Sequence, residues 1–193
     1  MTEPRASRAT DARLLRSRAA LRQALLSLIK EKAFEQISVR EIALRAGVTF
    51  PTFYRQFATK EALLSEIATD ELSQMASLMS SHIDQRNVEI SARAICDYVE
   101  ERRPLWTALL TTSAAAVMRE EFIKLTCNLV EDRKRINPEL PADMIASFVV
   151  SSMFEILGWW LRQPEGYPIE LAAQYLELLV LTPATSRHTL RSA

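Results

Sequence analysis

SVREIALRAGVTFPTFYRQFATKE, residues 38–61, reads as two short helices joined by a tight turn and followed by the capped start of a third. Ser38 is placed to cap the first, and Glu41 three residues later completes a capping box. Apolar residues recur at Val39, Ile42, Ala43 and Ala46, the spacing of one helical face. Gly47 follows where a left-handed residue ends a helix at least cost. Thr49 is the next N-cap, and Pro51 falls in the first turn, where a missing N–H matters least. Phe53 and Phe57, four apart, face inward together and leave Thr52, Tyr54, Arg55 and Gln56 on the other faces. Two helices with a glycine-bearing turn between them match the helix-turn-helix, whose second helix enters the DNA major groove.

The wider segment from Arg18 to Leu64 carries ALLSLIKEKAFEQISVREIALRAGV, then TFYRQF and TKEALL. In this register it resembles the DNA-binding domain of the tetracycline-repressor (TetR) family of bacterial regulators. The resemblance implies that Tyr54 and Lys60 hold DNA phosphates, while Thr49, Phe50 and Thr52 face base edges or nearby backbone. Arg18, Ser38 and Arg55 complete the candidate DNA-contacting set. Three positions depart from the family pattern. Ala33 stands where a helix-ending Gly is usual, and a left-handed Ala there would cost about 1 kcal/mol. Phe50 and Pro51 replace a polar-then-small pair, and Ala58 replaces a common Pro. Phe50 suits apolar contact with a thymine methyl better than hydrogen-bonded readout.

Charge is divided between the two ends of the 193-residue chain. Residues 1–60 hold 12 Lys+Arg against 5 Asp+Glu, net +7, and the remainder hold 12 against 19, net −7. A basic head on an acidic body fits a protein whose head alone meets a phosphate backbone. Arg5, Arg8, Arg13, Arg16 and Arg18 of the arm and first helix would add phosphate contacts and salt-dependent affinity. Hydrophobic content of 48% with only 3 Gly points to a packed, helix-rich protein.

The expected architecture is all-α: a three-helix helix-turn-helix domain over residues 1–60, then a helical ligand-binding and dimerisation domain over 61–193. Residues 1–10 and the tail from Pro183 to Ala193 read as disordered. A first helix should carry Leu14, Leu21, Leu25, Ile29 and Phe34 on one stripe, and a fourth should run from Thr59 to about Ser81. Beyond the polar break 81–87, helices are expected near 88–101, 104–112, 114–136, 142–163 and 168–181, with Pro104, Asn137-Pro138, Pro141 and Pro168 marking the ends.

Residues 142–163 are apolar on more than one face, so that helix should be buried on two sides. One stripe holds Ile145, Phe148, Val149, Met153, Ile156 and Trp160, and another holds Val150, Phe154, Leu157 and Leu161. Ile145, Val149, Met153, Ile156 and Trp160 are the candidate dimer contact, together with Leu171, Tyr175 and Leu178 of the last helix. A two-fold pairing of these helices suits a palindromic operator, and family members dimerise through their last two long helices. Trp106, Met118, Phe122, Phe154 and Trp159 are the candidate lining of a site for a small apolar or aromatic effector.

Little else carries chemistry. His82 and His188 stand apart from any nucleophile, adjacent carboxylates such as Glu120-Glu121 fall on different helix faces, and no P-loop, GxGxxG or nucleophile elbow is present. Cys96 and Cys127 lack metal-ligand spacing and read as buried thiols of a reducing cytosol. No signal peptide is visible and no membrane partner is expected. The expected function is a cytoplasmic, non-enzymatic, homodimeric regulator that binds double-stranded DNA and is released by a ligand, with no cofactor or metal. Two alternatives stay open: a ligand-independent activator or architectural DNA binder, and a helical small-molecule-binding module that has lost DNA recognition.

Overall fold

The computed structural model describes residues 5–83, 88–112, 114–131 and 140–186, and among these every regular element is helical. The chain divides into two compact units, Met1–Ile67 and Ala68–Ala193. One helix, α4, begins in the first and ends in the second.

The first unit contains α1 (Arg5–Ile29), a 3₁₀ turn (Phe34–Gln36), α2 (Val39–Arg45), α3 (Phe50–Gln56) and the start of α4 (Lys60–Ile83). Helix is already present at Arg5, earlier than expected; residues 1–4 lie outside the described range. Phe34 does not extend the α1 stripe. The helix stops at Ile29, where the amides of Glu31 and Lys32 both turn back to the Leu28 carbonyl at 3.0 and 3.1 Å. Phe34 is then buried from its own 3₁₀ turn. Ala33 has φ −58° and ψ 143°, an extended conformation, so the anticipated left-handed strain does not arise. The stop of α2 follows the local rules closely. Gly47 has φ +64°, its amide donates to the Leu44 carbonyl at 3.1 Å, and the Val48 amide donates to Ala43 at 3.0 Å, a Schellman motif. Leu21, Leu25, Ile42, Phe53, Leu63 and Leu64 are fully buried and tie α1–α4 into one core, each contributing about 1.5–3 kcal/mol.

In the second unit, the rest of α4 is joined by α5 (Val88–Glu101), α6 (Arg103–Thr111), α7 (Ala114–Glu131), α8 (Ala142–Leu161), α9 (Ile169–Leu176) and α10 (Thr182–Thr185). Helices α6 and α7 pack on α8, and α5 packs on α9. Pro104 sits inside the first turn of α6 after the break at Arg102. The expected last helix is not uniform: a π segment, Glu177–Leu181, separates α9 from α10, and its end is marked by the Thr182 amide bonding Glu177 five residues back. Pro183 follows at once and has no N–H to continue the ladder. Pro183 to Thr185, expected in a disordered tail, lie in α10. Residues 187–193 of that tail, the 84–87 break and residues 132–139, with the expected end of the seventh helix and Asn137-Pro138, lie outside the described residues.

Helix α8 is long and apolar enough to cross a membrane, with a mean hydropathy of 1.6, but half of that stretch is buried inside the unit. Its burial against α6, α7 and α9 accounts for the composition. Burial also pushes the Cys96 thiol up to about 12, leaving it protonated and inert.

Candidate DNA-reading surface and body site

The reading face is built on α3. Its inner side is Phe53, fully buried, with Phe57 beyond it at 6.0 Å between ring centroids. Outward stand Phe50 and Tyr54, each 49% exposed. The two rings meet edge to face at 4.9 Å and 76°, so Tyr54 holds Phe50 upright at the first turn. Beside them the Thr49 and Thr52 hydroxyls bond each other at 2.8 Å, and the Arg55 guanidinium donates to Thr52 Oγ1 at 3.1 Å. Thr49 caps α3 through its backbone rather than its side chain, its carbonyl accepting from the Thr52 amide at 2.9 Å and the Phe53 amide at 3.2 Å. Thr49, Phe50, Thr52, Tyr54 and Arg55 thus form one continuous exposed or half-exposed surface.

The other three DNA candidates have intramolecular partners. Ser38 is engaged in the capping box: its hydroxyl accepts from the Glu41 amide at 3.3 Å and its own amide donates to Glu41 Oε2 at 2.9 Å. Glu41 also pairs with Lys32. Those contacts, Lys32 first and then the Ser38 amide and hydroxyl, hold the Glu41 carboxyl down at about 2. Arg18 donates to both carboxylate oxygens of Glu66, and its guanidinium lies 4.9 Å from the Phe57 ring centroid. Arg22 adds a second cation at 3.1 Å. Burial pushes the Glu66 carboxyl up, but the two guanidiniums outweigh it and keep it below its ordinary value. Arg18 therefore pins α1 to α4, sharing the single Glu66 carboxylate with Arg22. Lys60 Nζ donates to the carbonyls of Phe34, Glu35 and Ile37. Glu66 carried no signal in the sequence, because its role exists only once α1 and α4 are packed.

In the second unit, α8 turns a different side outward from the one its periodicity suggested. Val149, Met153 and Trp160, expected at a dimer contact, are buried in the unit's own core; Ile145 and Ile156 are half-buried, and Phe148 of the same stripe is exposed. The correction has a simple cause. With both faces apolar, the sequence cannot say which one α6 and α7 cover. Exposed apolar residues are Met144, Phe148 and Trp159 on α8, Leu171, Leu178 and Leu179 further on, and Ile90 on α5. Leu171 and Leu178 thus keep their expected exposure, and Tyr175 is half-buried.

The expected pocket residues lie mostly in the core of the unit. Trp106, Met118, Phe122 and Phe154 are buried, and Phe122 stacks on Phe154 at 5.7 Å and 18°. Trp159 does not converge with them. It is 37% exposed and meets Tyr167 and Tyr175 edge-on at 5.5 and 5.8 Å. A solvent-open groove of about 480 Å³ lies elsewhere, lined by Arg119, Ser151, Ser152, Glu155, Ile156, Leu179 and Val180. The indole N–H groups of Trp106 and Trp160 are buried without a hydrogen-bond partner. Near the start of this unit, Tyr98 donates to Glu71 at 2.7 Å under the Arg102 guanidinium. Burial first, then the bond to Glu71, raises the Tyr98 phenol. Among the described residues no cluster of metal-ligating side chains occurs.

An all-α chain whose basic head presents a helix-turn-helix is a DNA-binding protein by its fold and surface. Residues 21–67 match the bacterial regulatory proteins of the tetR family. The HTH-type transcriptional regulator YdgC of Bacillus subtilis (strain 168) is 24% identical over 177 residues, 85% of this chain and 91% of that protein. A TetR transcriptional regulator from Streptococcus agalactiae 2603V superimposes at a TM-score of 0.60 with 24% identity, covering 90% of this chain and 98% of the other. FadR of Thermus thermophilus, a TetR-family repressor solved in complex with lauroyl-CoA, gives a TM-score of 0.65 at 15% identity over 91% and 97% of the two chains. The head of the chain, residues 21–67, belongs to the tetR family of bacterial regulatory proteins, and the relatives named are transcriptional regulators.

Proposed function

We propose that this regulator is a cytoplasmic homodimeric repressor that reads a palindromic operator with α3 and is released by a small apolar or aromatic ligand. The observation that carries the reading is the exposed surface of α3. Phe50 and Tyr54 stand out from a buried Phe53, flanked by the Thr49–Thr52 hydroxyl pair and Arg55. Phe50 offers an apolar edge to a thymine methyl, the threonine hydroxyls offer donors and acceptors, and Tyr54 and Arg55 reach toward the backbone.

Dimerisation is assigned to the exposed side of α8, α9 and the π segment that follows it. Met144, Phe148, Trp159, Leu171 and Leu178 leave an apolar surface that a two-fold copy would cover. Ligand release then amounts to a population shift, in which the ligand prefers a dimer geometry whose heads no longer match successive major grooves. The complex of Thermus thermophilus FadR with lauroyl-CoA, whose acyl chain is apolar, supports a ligand with an apolar part. A second reading, a DNA binder without effector, is favoured by the burial of Trp106, Phe122 and Phe154, with Phe122 stacked on Phe154.

Selection of bound duplexes from a random pool, then affinity across a salt series, tests the DNA reading. A palindromic winner with a steep salt slope is expected; no enriched sequence, with binding lost at moderate salt, would overturn it. A thermal-shift screen of acyl-CoA esters and aromatic amphiphiles separates the two readings of the body.

A further inference from the structure

Lys60 opens α4, directly after the recognition helix, where the family resemblance assigns it to a DNA phosphate. Its surroundings give it another task. Nζ lies 2.9 Å from the Phe34 carbonyl, 3.1 Å from that of Glu35 and 2.8 Å from that of Ile37. An ammonium has three N–H donors and no acceptor, so these three carbonyls complete its set. The same nitrogen lies 4.6 Å from the Phe34 ring centroid, a cation–π contact beneath a partly buried charge. In the first turn of α4 the Ala62 amide already donates to Thr59 Oγ1 at 3.1 Å.

The carbonyls it holds belong to the 3₁₀ turn that leads into Ser38, the cap of α2. The chain therefore runs from this turn through α2 and α3 to Lys60, and the ammonium closes that run on itself. We infer that Lys60 is a positioning residue for DNA recognition. It ties the start of α4 to the approach of α2, and so fixes the angle at which α3, strung between them, is presented. The inference rests on α3 being the reading helix.

Positioning and phosphate contact predict different results. A phosphate-bound lysine contributes about 0.9 to the slope of log affinity against log salt, equally for every sequence. A positioning lysine leaves that slope alone and changes the discrimination between sequences. Lys60→Met keeps the stem and removes the donors; Lys60→Arg keeps the charge, but its planar fork cannot converge on three carbonyls. The measurement is affinity for the selected duplex and for a scrambled one across a salt series, at a temperature where circular dichroism finds each variant folded. Expected for both variants is an unchanged salt slope and a ratio of selected to scrambled affinity lowered by about tenfold, the size of one mismatched base pair. A slope lowered by about 1 in Lys60→Met with the ratio intact, or full restoration by Lys60→Arg, would overturn the assignment. A ¹⁵N-lysine spectrum of the wild-type protein stands independently of any variant's folding. The Lys60 ammonium should exchange slowly with water both free and on the selected duplex; a signal that is exchange-broadened without DNA, or moves to a phosphate-bonded position with it, refutes the clamp. Failure of the DNA reading itself would appear separately, as the absence of any selected duplex.

Discussion

Replacing thymine by deoxyuridine in the selected operator removes a single methyl group per site and leaves every hydrogen-bonding atom in place, so it isolates what Phe50 contributes. The ring is 49% exposed and is held by the edge of Tyr54 at 4.9 Å, while Phe53 beneath it closes the core. Phe50→Ala therefore opens no cavity, and the stability of the head should move by no more than about 0.5 kcal/mol, as for an ordinary surface change. Burying one methyl against the ring is worth about 0.8 kcal/mol, a factor of about four per half-site and about fifteen for a palindrome read twice. Fluorescence anisotropy at one fixed salt concentration, with operators carrying deoxyuridine at each thymine in turn, measures it. The wild-type protein should lose that factor at one thymine position per half-site. Phe50→Ala should bind the thymine and deoxyuridine operators alike, and Phe50→Leu, which restores an apolar contact, should recover part of the difference. If deoxyuridine costs the same in wild type and Phe50→Ala, or costs nothing anywhere, Phe50 does not read a methyl and the assignment fails.

Other outcomes follow from the same geometry. Gly47→Ala meets no atom within 4 Å, but its φ of +64° remains, so the head should lose about 1–2 kcal/mol through backbone strain alone, visible as a lower urea midpoint; an unchanged midpoint would mean the turn relaxes. The Glu41 carboxyl is held at about 2 against an ordinary 4.5. Its contribution is complete above 4.5 and is lost as pH falls toward 2, and Glu41→Gln should flatten that part of the acid-unfolding curve; identical curves would remove Glu41 from the account. Phe148, 55% exposed on α8, should tolerate Phe148→Glu in the folded protomer while association weakens by about tenfold or more. Sedimentation equilibrium decides it, and an unaltered dimer would place the interface elsewhere.

Much of the head was legible in the sequence because its elements obey short-range rules. The capping box at Ser38, the left-handed Gly47 and the inward pair Phe53 and Phe57 each depend on a few neighbouring residues, and each stands in the structure as expected. The stop of α1 was not legible. Ala33 stands where the family pattern has a helix-ending glycine, but the chain ends the helix by amide turns onto Leu28 and leaves Ala33 extended. In the body, helix spans near 88–101 and 142–163 were readable from periodicity and proline positions, whereas the π segment before Pro183 had no periodic signature.

The direction of the side chains separates the two kinds of knowledge. Local sequence sufficed for an all-α chain with a helix-turn-helix head and a basic-to-acidic gradient, because capping, helical period and charge are properties of adjacent residues. It could not decide which side of α8 faces the core, since both of its stripes are apolar and burial depends on what packs against them. Nor could it tell that Arg18 would meet Glu66, or that Lys60 would turn inward to Phe34, Glu35 and Ile37. Those partners lie far apart along the chain. Only the packing of α1, the 3₁₀ turn and α4 brings opposite charges and free carbonyls within reach of cations that, read alone, look available to DNA.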